Sequence, residues 1–199
     1  VPALSLMGAT AIVRLAVLTH HAASLRQRID PDSGLPNQLA LAGRVPSDDD
    51  RYMIAAQIDE FDALKLALGA RQSGELLRRL VERLQVATSV TTFYRTDERT
   101  LMWCTPLEIS EIEPLMAGLK AIMRSPFEVA GQRLGVSLSL GIAAADNPAG
   151  ASNAAHAASL ARRTGKPWRL HTDNEGENAA QQFSLLGELE DALRDGDIR

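Results

Sequence analysis

Residues 91–104 read TTFYRTDERTLMWC, two short arms rich in aromatic and apolar residues around the charged knot Asp97-Glu98-Arg99. Apolar residues on either side of a polar centre predict a β-hairpin whose turn lies in water. An acidic tip between buried strands can hold a divalent metal through carboxylate oxygens, and it can equally be a solvated turn. Upstream, residues 52–58 (YMIAAQI) read as a buried strand that ends at Asp59. A carboxylate in that place can bind a metal or cap the helix starting near Glu60; taken alone, Asp59 favours capping.

Between that strand and the hairpin, Leu76, Leu77, Leu80, Val81 and Leu84 fall at helical spacing over 73–86, with Arg78, Arg79, Glu82 and Arg83 outside the stripe. After the hairpin, a second stripe runs from Ile109 through Ile112, Leu115, Met116 and Leu119 to Met123, its methionines read as core filler, until Pro126 stops it. Phe127 and Val129, a turn at Ala130-Gly131-Gln132, then Leu134, Val136, Leu138, Leu140 and Ile142 on a period of two predict a second hairpin. Ser137 and Ser139 would face its other side. An Ala-rich helix over 153–164, ended by Gly165, leads to a short strand over 168–171. On the upstream side, two prolines, a glycine and three Asx residues in RIDPDSGLPN (28–37) predict a stop and a helix cap. Leu39, Leu41 and Val45 would then continue a short helix, before Ser47-Asp48-Asp49-Asp50 marks a solvated loop. This order describes an α/β (α+β) sandwich with a mostly antiparallel central sheet flanked by helices, and suggests a split βαβ, ferredoxin-like core.

Composition narrows the function classes. The chain has 199 residues, 45% hydrophobic and 23% charged, enough to bury a core as one domain with helical extensions. A net charge of -4 gives no general attraction to phosphate backbones, so nucleic acid is not an expected partner. The single cysteine, Cys104, rules out an internal disulfide and any Cys-rich zinc site, and is read as a buried core thiol. Because the first residue is Val1, the chain is expected to be a piece of a longer polypeptide. Residues 1–18 are largely apolar but interrupted by Arg14, whereas a membrane span needs about 20 residues with few charges; a tethering helix is expected, with the tail of a transmembrane segment as the alternative. His20 and His21 have no third ligand in view and read as surface residues. Gly165-Lys166 is no phosphate loop, since that motif's preceding glycine is missing.

At the level of motifs the chain resembles the GGDEF domain of bacterial diguanylate cyclases. Family members enter through a D-x-LTGLPNR segment, similar here to Asp30-Pro31-Asp32-Ser33-Gly34-Leu35-Pro36-Asn37. The family's D-x-F-K-x-I-N-D-x-x-G-H-x-x-G-D-x-L-L pattern is matched by Asp59, Phe61, Leu64, Gly69, Leu76 and Leu77. Its later S-x-G-I-A strand is matched by Ser139-Leu140-Gly141-Ile142-Ala143, and its A-x-x-x-A-K-x-x-G-R element by Ala157, Ala161, Arg162, Gly165 and Lys166. The resemblance implies a palm-like nucleotide-cyclase fold and three parts: a linker or signalling helix over 1–28, the GGDEF-type domain over 29–173, and a linker helix over 174–199 leading towards an EAL domain.

The same resemblance places R-x-G-G-D-E-F on Arg95-Thr96-Asp97-Glu98-Arg99-Thr100-Leu101. In active members the glycines let backbone approach the GTP phosphates, and the acidic pair supplies a metal ligand and the catalytic carboxylate. Here Asp97 and Glu98 stand in the glycine places, Arg99 and Thr100 in the acidic ones, and Leu101 at the Phe. Sliding the register so that Asp97-Glu98 become the acidic pair would put Arg95-Thr96 where the glycines belong. Asp59 alone keeps a metal-ligand position, and one carboxylate holds Mg²⁺ poorly. Lys65 and Gly74 stand where the family asparagine and aspartate contact guanine, and the product-inhibition motif R-x-x-D falls on Thr88-Ser89-Val90-Thr91. Arg162 and Lys166 remain basic where relatives contact phosphates, although cations also suit a helix C-terminus.

These readings imply a degenerate, catalytically inactive regulatory or interaction domain of a cyclic di-GMP signalling protein, with no cofactor expected and no enzyme activity of its own. The full-length protein could then be a cyclic di-GMP phosphodiesterase. The alternatives are a diguanylate cyclase with an unusual active site, or a GTP-sensing domain controlling a neighbouring phosphodiesterase; only these would need Mg²⁺ and GTP. Expected partners are a neighbouring EAL domain and a second copy through the terminal helices, where Phe183, Leu185, Leu186, Leu189 and Leu193 share a stripe over 181–194. The expected location is the cytoplasm, with an inner-membrane anchor open for the full-length protein.

Overall fold

A computed structural model describes residues 26–172. Asn37 caps the first helix, α1 (Gln38–Ala42), its Oδ1 accepting from the Leu39 and Ala40 amides at 2.9 and 3.2 Å. The helix stops at Gly43, so Val45, expected within it, lies outside and 86% exposed.

Six of the seven residues of β1 (Tyr52–Ile58) are buried, because the strand is central and covered on both faces. Ile54, Ala56 and Ile58 belong to the larger core cluster, with α2 (Phe61–Thr88) and α3 (Ile109–Ile122). Met53 and Ala55 face the other way, towards α4 (Gly150–Arg163). The five-stranded sheet has the order β2-β3-β1-β6-β7, with β2 (Tyr94–Arg95), β3 (Thr100–Thr105), β6 (Leu138–Ala144) and β7 (Trp168–Leu170). Every pairing is antiparallel except β6 with β7. That is the split βαβ, ferredoxin-like arrangement with one strand added in parallel.

The face under α4 depends on small residues. Ala154, Ala157, Ala158 and Ala161 are fully buried, and a Cβ at Gly141 of β6 would collide with the backbone of Ala154 and Ala158. Helix and strand therefore meet at backbone distance, which no larger residue at position 141 would allow.

Two elements differ from the sequence reading. The helix expected over 73–86 begins at Phe61 and is broken at Gly69, whose φ of 77° and ψ of 170° are not helical. The long second arm of the downstream hairpin divides: β4 (Phe127–Val129) and β5 (Gln132–Leu134) form a ribbon of their own, and β6 joins the main sheet after a gap at 135–137. The apolar alternation runs unbroken across that gap, with Val136 buried inside it, so periodicity alone hides the division. Among the described residues no helix is long and apolar enough to cross a membrane. The helices expected over 1–28 (residues 26–28 apart) and 181–194, with His20 and His21, lie outside the described residues.

Candidate functional site

At the end of β1 the chain enters α2 through Asp59 and Glu60, the latter left-handed at φ 52°. Asp59 does not cap the helix, contrary to the sequence expectation. Glu60 occupies the cap position, no side chain caps α2, and Asp59 Oδ1 instead accepts a 2.9 Å hydrogen bond from Ser139 Oγ on β6. The left-handed residue sets Asp59 one place outside the first turn and leaves its carboxylate with the neighbouring strand.

The hairpin pairs Tyr94 with Met102 and Arg95 with Leu101, leaving 96–99 as the turn. Arg95, only 7% exposed, donates to Asp30 Oδ1 at 2.6 Å and to the Glu98 carbonyl at 3.1 Å, while its amide donates to the Pro36 carbonyl at 2.7 Å. Burial acts to raise the Asp30 pKa, but hydrogen bonds from Ser33 and the Arg95 guanidinium overcome it and hold the carboxyl below its ordinary value. At the tip, Asp97 Oδ1 accepts from the Arg99 amide at 2.8 Å, an Asx turn. Glu98 reaches Lys65 Nζ at 2.6 Å, and this hydrogen bond lowers its carboxyl pKa. Arg99 Nη2 lies 3.1 and 3.3 Å from the two oxygens of Asp62. Thr100 is fully buried opposite Gln57 of β1, and Leu101 is buried beside it. Among the described residues no group of three His, Cys, Asp or Glu is arranged to hold a metal ion.

Lys65 lies on α2 before the Gly69 break and Gly74 after it. A Cβ on Gly74 would collide with the backbone carbonyl of Asp32, so the glycine is what lets the 30–37 turn lie against α2.

Elsewhere a cleft of about 500 Å³ opens between the end of α3, the start of β6 and the end of α4. It brings Asp59 together with Arg162 and Lys166, while Asp97, Glu98, Arg99 and Thr100 are not among its walls. Sequence reasoning missed its other cations, Lys120 and Arg124, and the indole of Trp168. The available signal was the i, i+4 spacing of Lys120 and Arg124 at the end of a helical stripe.

No protein-family model matches the sequence, and no curated protein does. Solved structures do. The GGDEF domain of YfiN (TpbB) from Pseudomonas aeruginosa has a TM-score of 0.64 at 19% identity, over 76% of this chain and 99% of that one. The FimX GGDEF domain from the same organism gives 0.57 at 17%, over 72% and 98%. An EAL/GGDEF domain protein from M. capsulatus gives 0.54 at 23%, over 67% and 92%. The fold is that of a GGDEF domain.

On the resemblance the signature positions would fall on the 96–99 turn and the start of β3, where Arg95 pairs with Leu101 across the hairpin. In either register the Asp97 carboxylate accepts from the Arg99 amide and the Glu98 carboxylate from Lys65. The residues do not fit a catalytic Mg²⁺. The Ile58 amide donates to the Arg99 carbonyl at 2.9 Å, so the residue running alongside Asp59 is a cation already paired with Asp62, followed by a buried threonine.

Proposed function

We propose that this chain is a catalytically silent GGDEF-fold domain serving a regulatory or architectural role in a cyclic di-GMP signalling protein. The observation that carries the reading is Arg99, bridged to Asp62 where the family resemblance puts an acidic metal ligand. Lys65, engaged by Glu98, and Gly74, covered by Asp32, support it, because neither offers guanine the contacts the resemblance implies. One structural neighbour is an EAL/GGDEF domain protein, which supports an EAL domain as the partner of the 29–173 unit, joined through 174–199, in a cytoplasmic setting. Mg²⁺ and GTP are not required on this reading.

The test is incubation of the chain with GTP and Mg²⁺. No cyclic di-GMP should form above a no-protein blank, and Arg99→Asp with Thr100→Glu should not restore synthesis while Lys65 and Gly74 remain. Product above the blank that Asp59→Ala abolishes would overturn the proposal. Arg162 and Lys166 favour one further reading, a GTP sensor without turnover. Micromolar calorimetric binding with GTP preferred over ATP would select it.

A further inference from the structure

Met53 of β1 stands directly opposite Cys104 of β3, and Met102 lies two residues before Cys104 on the same strand, opposite Ala55. Residues two apart on a strand share a face, so all three sulfur side chains belong to the face of the sheet turned away from α2 and α3. There Cys104 Sγ lies 3.7 Å from Met53 Sδ. Met53 and Met102 are buried, whereas Cys104 is half-buried and reachable from outside. The neighbouring helices meet this patch with alanines, Ala40 from α1 and Ala151, Ala154 and Ala155 from α4. None of the three sulfur residues belongs to the 96–99 turn or to the α3/α4 cleft.

Thiolate and thioether sulfurs are soft donors, and soft donors select soft metal ions such as Cu(I). With metal–sulfur bonds of about 2.3 Å, two sulfurs 3.7 Å apart subtend roughly 107° at a shared ion, close to the tetrahedral value. Met53 and Cys104 are therefore already spaced to hold one. Met102 is unbranched, and its rotatable bonds let it turn a third sulfur towards the same point. Charge decides the valence. One thiolate and two neutral thioethers carry a single negative charge, and the nearby Arg44 and Asp50 neutralise each other in an ion pair. A monovalent ion leaves the cluster neutral, as apolar surroundings require, whereas a divalent ion would leave an uncompensated positive charge among alanines.

We propose that Met53, Met102 and Cys104 form a binding site for one soft monovalent metal ion, Cu(I) or its analogue Ag(I). On binding, the Cys104 S–H bond breaks and its electron pair forms the sulfur–metal bond. The proton passes to Asp50, a hydrogen-bond partner of the thiol, and on to water; no electron is transferred. Burial pushes the free thiol up to about 11, so without the ion the sulfur keeps its proton. The inference concerns residues that the cyclase reading does not use and stands whether or not the domain is silent.

The test uses the whole 199-residue chain, reduced and free of oxygen, titrated calorimetrically with Ag(I) and, against a chromophoric chelator of known affinity, with Cu(I). A site that binds one ion should be present in the parent and lost in Cys104→Ser. Met53→Leu and Met102→Leu conserve side-chain volume and so keep the fold, and each should weaken that site at least about tenfold. X-ray absorption at the copper edge should show a shell of sulfur alone at about 2.3 Å. The leucine variants distinguish a built site from a single thiol: indifference to both overturns the proposal. Binding that survives Cys104→Ser, a shell containing nitrogen or oxygen, or Zn(II) held at these residues as tightly as Cu(I) would each overturn it too.

Discussion

The hairpin end and the α3/α4 cleft present similar residue types in opposite states. At the hairpin, Arg95 is paired with Asp30, Arg99 with Asp62, and Lys65 with Glu98, and the backbone of Asp32 lies on Gly74. At the cleft, four cations face an open space without partners among the described residues. A charge paired within the fold has become part of its mechanical frame, and a competing ligand must first break that pair. An unpaired charge at a cleft has no such barrier. On the family resemblance, the first set would stand at the base-binding end of a nucleotide site and the second at its phosphate-binding end.

The largest break in that contrast should come from Gly74→Asp, which supplies the aspartate that the resemblance implies at that place. Its side chain would have to displace the 30–37 turn from α2, costing about 3 kcal/mol and lowering the melting temperature by roughly 6–12 °C, with no gain in GTP affinity. A variant as stable as the parent that binds GTP would show that the turn yields easily and that the hairpin end is not closed.

Position 74 also shows where sequence reading stops. The missing aspartate was legible, but its physical cause, a backbone carbonyl from a segment some forty residues upstream, was not. The central strand was legible in full because its seven residues form one apolar run between turn signals, and observed β1 has those bounds. The α4 helix was legible too, because alanine spacing and Gly165 mark it directly. The site was legible only in part. Asp59, Arg162 and Lys166 do share a cleft, but the Arg95–Asp30 and Lys65–Glu98 pairs span 65 and 33 residues, and no local pattern encodes such partners. Asp59 was misread as a cap because the left-handed turn at Glu60 has no compositional mark.

A smaller effect is expected from the Asp30–Arg95 pair. Arg95→Met should cost about 2–3 kcal/mol, since it removes the buried partner of a carboxylate that Ser33 continues to satisfy in part. The pH dependence has a definite sign. The Asp30 carboxyl titrates lower in the folded chain than its ordinary value of 3.8, so its stabilisation is present above that value and is lost as pH falls through the folded pKa. Asp30→Asn should flatten that acid limb of the stability profile measured by urea unfolding; an unchanged limb would assign the loss to other carboxylates.

The smallest effect belongs to the tip. Lys65→Ala removes an ion pair exposed on both sides, and its melting curve should be indistinguishable from the parent's in 0.15 M salt. A clear drop would mean that Lys65 holds the hairpin in place.

The break at Gly69 gives α2 the character of two beams sharing a swivel. Beyond it, the segment carrying Leu76, Leu77, Leu80 and Leu84 is bolted into the core. Before it, the shorter segment is anchored by Phe61 and Leu68 and carries Asp62 and Lys65, which make exposed ion pairs with Arg99 and Glu98 of the hairpin. Because the hydrogen-bond ladder does not run continuously through Gly69, tilting the front beam need not disturb the rear one. Ionic strength acts on their contacts with the rest of the fold unequally: salt screens the ion pairs that tie the front beam to the hairpin, whereas the rear beam meets the core through apolar side chains that have no charge to screen.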